Sequence, residues 1–351
     1  MILLYLIVVI TCALALSWIM KKLNMPGLIG MMITGVIMGP YALDLISPWI
    51  IDISADLRQF ALMVILARAG LALDIKTLKK VGKPAILMSF IPPGLEIGAV
   101  TIFAPMFLPI THLDAAIMGT VLSAVSPAIV VPRMLGMMKK RQGEEKGIPQ
   151  LVMAATSVNG IFAIVLFTLL LWVEGSSTGS AMILRSAILP LVIVVVGAVI
   201  LRYFHDFAAR LSKVFSKIWL PTEIMLFVLV GAAINVSYVA GASVAAITLI
   251  TVATFFRICC VPLCLIGTGL NFQEKVFCAI AYLPKATVQA AIGGTALAVG
   301  METGHIILIV AVLAILITAP LGAIGIDFMC FRFFGSGIKE KTTCPEEPHL
   351  E

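Results

Sequence analysis

The chain has 351 residues, a net charge of +6 and a mean hydropathy of +1.13. Apolar residues make up 61% of it and charged residues 12%, against roughly 45–50% and about 25% in soluble domains. This composition excludes a soluble globular protein, and in a membrane protein the positive charge indicates orientation instead of nucleic-acid binding. Residues 188–201 are apolar on every face, which excludes a transmembrane β-barrel. The sequence therefore predicts an all-α, polytopic protein embedded in membrane lipid.

Breaks at charged loops and at Gly- or Pro-rich loops divide the chain into about eleven predicted membrane crossings. In chain order they span residues 2–19, 27–41, 57–73, 84–108, 115–134, 148–173, 181–201, 221–239, 243–266, 276–299 and 305–331. Residues 1–334 are thus predicted to form one transmembrane domain. Residues 335–351 are polar and are predicted to form a disordered tail.

The loops after the odd-numbered crossings carry most of the 24 Lys and Arg residues. Cytoplasmic loops are enriched in these residues, so the N-terminus is predicted to lie outside, and the tail in the cytoplasm, of a plasma (inner) membrane. The seven Cys residues show no metal-ligand spacing, so neither a metal site nor another cofactor is predicted.

Three ionisable residues stand out within the predicted crossings, namely Glu96, Arg257 and Lys285. Each costs roughly 2.5–3.5 kcal/mol at the centre of a membrane helix, so each is a candidate functional residue. Glu96 and Arg257 are expected to form a buried ion pair, because either charge alone would be uncompensated. Such a pair either fixes helix packing or contains a group that titrates during transport, and the sequence leaves both possibilities open.

Proline interrupts two of the predicted crossings, near Ser126 and Pro127 in the fifth and near Pro284 and Lys285 in the tenth. Proline leaves a backbone carbonyl without its donor, which a membrane tolerates where protein, water or an ion satisfies that carbonyl. One such position would indicate a simple kink. Two, in separate halves of the chain, are typical of transporters with inverted repeats, whose discontinuous helices meet at a midplane site. Thr287, beside Lys285, is predicted to line the same site.

Two further crossings carry amide side chains. The sixth contains Thr156, Asn159 and the helix-weakening Gly160, and the eighth contains Asn235. An amide in a membrane helix usually forms an interhelical hydrogen bond, which is the simpler interpretation of Asn235. Asn159 follows the first broken helix directly, so interhelical bonding and cavity lining are equally open for it.

Five stretches of the chain are recognisable: 68–74 (RAGLALD), 124–132 (AVSPAIVVP), 146–149 (KGIP), 282–293 (YLPKATVQAAIG) and 314–322 (AILITAPLG). They resemble the cation/proton antiporter superfamily, and specifically the bacterial sodium/proton antiporters of the NHA-type exchanger group. The resemblance implies a homodimer in which a core domain, with two crossed broken helices, moves against a dimerisation domain. It also implies exchange of sodium or lithium for protons by alternating access, without a cofactor.

The chain departs from this family at the expected ion site. The helix after the first broken one normally presents two adjacent acids, whereas this chain has Asn159 and Gly160, which do not titrate. Asn235 also stands where close relatives have Asp. Between Phe204 and Lys213 about two crossings of the relatives are expected to be missing, a loss that preserves the sidedness of the later charged loops.

Three functions are open from the sequence. The first is an antiporter whose central cavity is lined by Ser126, Asn159, Arg257, Lys285 and Glu96. Its coupling of cation to proton transport is expected to be weak, because Glu96 or Lys285 must then carry the proton. The second is a transport-inactive family member that persists as a dimer partner or relic. The third is a carrier of an anionic solute, because without the acids Arg257 and Lys285 dominate the field in the cavity. An enzyme, such as an intramembrane hydrolase, is not indicated, because no His lies in a crossing beside a Ser, Asp or metal-ligand pattern.

Overall fold

The computed structural model describes residues 2–71, 81–175, 192–193, 195–197 and 199–334. Regular structure in these ranges is α-helical, and none of them forms a β-strand, which confirms the all-α fold class. The predicted tail at 335–351, the first half of the predicted seventh crossing and the end of the third lie outside the described residues.

Within the described ranges the helices are, in chain order, α1 (Ile2–Lys22), α2 (Gly27–Met38), α3 (Pro48–Asp52), α4 (Ser54–Leu71), α5 (Lys83–Phe107), α6 (His112–Ser123), α7 (Pro127–Lys139), α8 (Ile148–Gly175), α9 (His205–Ala232), α10 (Val236–Cys264), α11 (Phe272–Ala281), α12 (Thr287–Ala298) and α13 (Gly304–Phe334). Residues 192–193, 195–197 and 199–203 are also helical. Six spans of the described chain are long and apolar enough to cross a membrane, with α6 and α7 counted as one, and α2 is a shorter apolar helix. The total number of crossings stays a prediction.

The helices form two groups, each of which packs mainly within itself. We call α1, α2, α4 and α9 the scaffold bundle. The core bundle consists of α5 to α8 and α10 to α13. The two bundles meet chiefly where α12 packs against α4 and α9.

Glycines let α2 and α9 approach closely in the scaffold bundle. A Cβ added to Gly35 would overlap the carbonyl oxygen of Val228, and one added to Gly231 would overlap the carbonyl oxygen of Met32. No larger residue fits at either position unless one helix moves. Small residues at a crossing are the usual means by which membrane helices pack closely.

The predicted eighth crossing, 221–239, differs from the structure at both ends. α9 begins at His205 and contains Pro221 in its interior. The carbonyl that Pro221 leaves without a donor belongs to Lys217, which is exposed, so the surroundings can satisfy that carbonyl and the helix continues. The helix then ends at Ala232, and Asn235 lies in the turn before α10.

The predicted fifth and tenth crossings are both interrupted. Residues 124–126 separate α6 from α7, and residues 282–286 separate α11 from α12. The two breaks touch, because the Ser126 backbone N–H donates to the Pro284 carbonyl at 2.9 Å. The first half of each broken helix begins with a capping box, so the two halves of the chain start their broken helices in the same way. The four half-helices bring the irregular backbone of both breaks to one place in the core bundle.

Candidate functional site

An amide from α8 bridges the first break. Asn159 is fully buried, its Oδ1 accepts from the Val125 backbone N–H at 2.7 Å, and its Nδ2 donates to the Ser123 carbonyl at 3.3 Å. Both partners belong to the end of α6 or to the irregular segment after it, so the amide satisfies backbone groups that the break deprives of helical partners. Asn159 thus forms interhelical hydrogen bonds at the place where the cavity was predicted.

A residue that sequence reasoning missed bridges the second break. Gln289 in α12 accepts through Oε1 from the Ala286 backbone N–H at 2.8 Å and donates through Nε2 to the Ala124 carbonyl of the first break. The Lys285 backbone N–H donates to the Thr318 hydroxyl of α13 at 3.2 Å. The available signal in the sequence was a glutamine in an otherwise apolar half-helix.

Three buried charged side chains lie against the breaks. Glu96 of α5 accepts from Arg257 Nε of α10 at 2.5 Å and from Lys285 Nζ at 2.7 Å. Glu96 and Arg257 are fully buried, and Lys285 is 1% exposed. The structure therefore contains the predicted contact between Glu96 and Arg257. It adds Lys285, which shares the same carboxylate.

The other donors of the two cations reach backbone carbonyls at the ends of half-helices. Lys285 Nζ donates to the Leu122 carbonyl and Arg257 to the Ser123 carbonyl, both at the C-terminus of α6. Arg257 also donates to the Tyr282 carbonyl, after α11, at 3.1 Å. A helix C-terminus carries about half a negative elementary charge, so two such ends and one carboxylate offset two cations. The cluster is therefore electrically balanced without a bound ion.

Three buried hydroxyls lie at the breaks, namely those of Ser126, Thr156 and Tyr282. The Ser126 hydroxyl has no hydrogen-bond partner within the described part of the chain, and the hydroxyls of Thr156 and Tyr282 interact with each other. Ser126 precedes α7, Thr156 lies one turn before Asn159 on α8, and Tyr282 follows α11. Among the described residues, no group of three or more His, Cys, Asp and Glu is placed to hold a metal ion. A cation at the breaks would therefore use one carboxylate with hydroxyl, amide and carbonyl oxygens, which suit hard cations.

The remaining predicted site residues differ in their placement. Gly160 on α8 is buried, yet a Cβ added to it would meet no atom within 4 Å beyond its own stretch of helix. The structure thus has room for a side chain at this position. Thr287 is buried as the first residue of α12, and Pro127 is the first residue of α7, so both flank the breaks. Asn235 lies in the turn between α9 and α10.

Comparisons with known proteins agree with this architecture. The family described as "Sodium/hydrogen exchanger, transmembrane" matches residues 7–218. Sodium/hydrogen exchanger 9B2 of Homo sapiens is 30% identical over 374 aligned positions, which cover 87% of this chain and 69% of that protein. Sodium/hydrogen exchanger 9B1 of Homo sapiens is 32% identical, over 77% of this chain and 65% of that protein. A solved structure of the sodium proton antiporter MjNhaP1 from Methanocaldococcus jannaschii at pH 8 matches with a TM-score of 0.73 at 18% identity, covering 91% of this chain and 98% of that one.

The alignment with exchanger 9B2 bears on the length of the chain. It extends over 374 positions, more than the 351 residues of this chain, although it uses only 87% of them. That relative therefore has residues within the aligned range that this chain lacks. The loss of crossings between Phe204 and Lys213 is compatible with this difference and stays a prediction.

Proposed function

The chain belongs to the transmembrane sodium/hydrogen exchanger family, and from this premise we propose how its altered site exchanges ions. It is a multi-pass membrane protein of a cation/proton antiporter family, a family of transporters and not of enzymes. In our proposal Lys285 carries the exchanged proton, and a sodium or lithium ion competes with its ammonium group for Glu96. The observation that carries the proposal is the sharing of Glu96 by Arg257 and Lys285.

The two cations differ in whether they can change charge. Arg257 occupies Oε2 of Glu96 and stays charged, because arginine is not deprotonated in proteins. Lys285 can release a proton, and its Nζ has two acceptors, Glu96 Oε1 and the Leu122 carbonyl. Release of that proton removes the positive charge from Nζ, and the neutral amine is a weaker donor to both acceptors. A cation can then displace the amine, which frees one carboxylate oxygen and one carbonyl oxygen while the other carboxylate oxygen keeps its partner.

The freed oxygens are the proposed ion site. Glu96 Oε1 and the Leu122 carbonyl are hard ligands of the kind that alkali cations prefer, and the hydroxyls of Ser126 and Thr156 are the neutral ligands proposed to complete the shell. One positive charge leaves as a proton and one enters as the cation, so the charge balance of the cluster is kept. The cation and the protonated Lys285 exclude each other, because both need the same carboxylate oxygen. With one carboxylate in place of an acidic pair, we expect weak exchange.

The two alternatives from the sequence fare differently. A carrier of an anionic solute requires an unbalanced positive field, whereas the charges of Arg257 and Lys285 are offset by Glu96 and two helix ends. This observation does not favour an anion carrier. A transport-inactive member would have the same geometry, so an experiment must separate it from a weak antiporter.

Purified protein in liposomes that hold a pH-sensitive dye and a preset proton gradient provides this experiment. Sodium or lithium should dissipate the gradient weakly with the unmodified chain and not at all with Lys285→Arg. Arginine keeps the charge and the hydrogen-bond donors but cannot release the proton, so this variant tests titration separately from charge. Lys139→Arg, at an exposed position, is the matched control and should exchange normally.

The outcomes separate the alternatives. If sodium- or lithium-driven exchange persists in Lys285→Arg, Lys285 is not the proton carrier, and Glu96 becomes the candidate for that role. No exchange in either protein, when both are folded and inserted, favours the transport-inactive member.

We also propose a homodimer in the plasma (inner) membrane, with the N-terminus outside and residues 335–351 in the cytoplasm. The orientation is supported by exposed basic residues at the C-terminal end of α7, namely Lys139, Lys140 and Arg141, because such residues are enriched in cytoplasmic loops. The family resemblance supports the dimer. A cysteine introduced by Lys140→Cys should react with an impermeant maleimide in everted vesicles and not in right-side-out ones, and chemical cross-linking in membranes should give a dimer band.

A further inference from the structure

Arg58 is a second buried arginine and, unlike Arg257, it has no counter-charge in the described structure. It lies in the second turn of α4, is 6% exposed, and its Nε has no hydrogen-bond partner. No Asp or Glu with a described side chain forms an ion pair with it. Removing a charge from water without a partner is costly, so this position requires a counter-charge.

Arg58 lies where the scaffold bundle meets the core bundle. Its Cδ and Nε are 3.0 and 3.2 Å from the position that a Cβ on Gly294 would occupy. Gly294 belongs to α12, the second half of the second broken helix. The stem of the arginine thus fits into space that any side chain at position 294 would fill.

Within the described part of the chain, nearby backbone and acidic groups do not supply the counter-charge. The carbonyls of residues 295–297, at the C-terminus of α12, already accept backbone N–H groups of residues 299–301 at 3.0 to 3.3 Å. Asp56, on the same helix, and Glu302, after α12, are both exposed. The terminal nitrogens of Arg58 are absent from the fully buried unpartnered atoms, and the residue is 6% exposed, so they lie at the edge of the buried region. A small ion can therefore reach them.

We propose that Arg58 binds a small monovalent inorganic anion, of the size of chloride, at the contact between α4 and α12. The guanidinium group offers several donors to one anion, and the anion supplies the missing counter-charge. A bound anion thereby stabilises the contact between the scaffold bundle and a half-helix of the core bundle. The proposal is independent of the exchange mechanism, because it involves none of the residues at the breaks.

Thermal unfolding of the purified full-length protein in detergent tests this proposal, with chloride as the probe. When chloride replaces gluconate at constant ionic strength, the melting temperature should rise along a saturable curve, by roughly 2–4 °C. Arg58→Gln should abolish this dependence, and Arg210→Gln, at an exposed position on α9, should retain it. The proposal is wrong if the melting temperature of the unmodified protein does not depend on chloride concentration. It is also wrong if Arg58→Gln shows the same dependence on chloride as the unmodified protein. If chloride stabilises Asp52→Asn but not the unmodified protein, the proposal is wrong, because Asp52 then supplies the counter-charge of Arg58 in the unmodified protein.

Two adjacent glycines provide a second test that does not require the loss of Arg58. Gly294→Ala places a Cβ 3.0 Å from Arg58 Cδ, whereas Gly293→Ala places one 3.1 Å from the Cβ of Ala311. Both substitutions crowd α12 to a similar degree, but only the first displaces the arginine. Gly294→Ala should therefore raise the chloride concentration at half-maximal stabilisation several-fold, and Gly293→Ala should leave it unchanged. Equal shifts in the two variants would assign the effect to helix packing and refute the anion site.

Discussion

The core bundle and the scaffold bundle are held together by different interactions. In the core bundle, the side chains of Asn159, Gln289 and Glu96 connect irregular backbone and buried cations through hydrogen bonds. In the scaffold bundle, α2 and α9 meet at Gly35 and Gly231, where the missing side chains admit the carbonyls of the facing helix. A glycine contact fits one geometry and is lost when the helices slide, whereas a carboxylate can exchange one cation for another. The comparison therefore supports the proposed ion exchange in the core bundle and a fixed packing in the scaffold bundle.

The largest effect is expected from Glu96→Gln. This change leaves Arg257 and Lys285 buried beside each other without the carboxylate that they share, and breaking a buried ion pair costs about 3–5 kcal/mol. Denaturant unfolding in detergent should show a loss of this size, and sodium-driven exchange in liposomes should disappear. Glu274→Gln is the matched control, because it removes a carboxylate whose partner Lys146 is 44% exposed. Equal stability of the two variants would show that the buried cluster does not hold the breaks together.

A pair of glycine substitutions sharpens the comparison between the two bundles. In Gly35→Ala the new Cβ overlaps the Val228 carbonyl, so we expect a loss of about 1–3 kcal/mol in the free energy of unfolding. In Gly160→Ala the new Cβ meets empty space, and a helical alanine should stabilise the chain by about 0.4–1 kcal/mol. The exchange rate per folded molecule should not change in Gly35→Ala, because the scaffold contact is remote from the charged cluster. A loss of stability in Gly160→Ala would contradict the room seen beside α8.

Much of the fold follows from the sequence by simple physics. The apolar composition requires membrane helices. Two Pro-containing motifs favour breaks whose backbone groups find partners in protein, as the contact between Ser126 and Pro284 shows. The first half of α9 was missed because its charged residues are typical of a loop and Pro221 is typical of a helix start. A helix that is largely exposed can carry polar residues on most of its sides, so residues 205–220 are helical in spite of their polarity.

The site was harder to predict than the fold. The contact between Glu96 and Arg257 follows from the cost of a lone charge, but the sharing of Glu96 with Lys285 joins residues 189 positions apart. Sequence spacing contains no information about such a contact, since it depends on how the half-helices cross. The role of Gln289 was missed for the same reason: its amide is needed by the Ala124 carbonyl of the other break.

The next prediction concerns the missing acids. Replacing Asn159 and Gly160 together with Asp should give more sodium- or lithium-driven dissipation of a proton gradient in liposomes than the unmodified chain, because two titratable oxygen ligands are added. The two positions are not equivalent. A Cβ at 160 meets no atom within 4 Å, whereas an Asp at 159 loses the amide donor to the Ser123 carbonyl, so Gly160→Asp should be the better folded of the single variants.

Two results would contradict this prediction. Substantial antiport by the unmodified chain would show that positions 159 and 160 do not decide its chemistry, and would support the exchange at Glu96 and Lys285 proposed above. If neither protein exchanges ions although both fold and insert, the predicted loss of crossings near Phe204 becomes the better explanation. The transport-inactive interpretation would then be preferred.

The smallest effect is expected at an ion pair on the edge of the core bundle. Lys146 Nζ lies 2.9 Å from Glu274, and the Glu274 carboxylate also accepts from the Asn271 backbone N–H at 2.7 Å, as part of the capping box of α11. Exposed ion pairs contribute about 0–1 kcal/mol and are screened by salt, so Lys146→Gln should cost less than about 1 kcal/mol, and nothing measurable in about 1 M salt. Glu274→Ala also removes one of the two hydrogen bonds of the capping box, the one from the Asn271 backbone N–H, and should cost about 0.5–1.5 kcal/mol, part of it insensitive to salt. Denaturant unfolding at low and high salt measures both terms. If Lys146→Gln cost as much as Glu96→Gln, burial would not be what distinguishes the strong contacts of the core bundle from the weak ones.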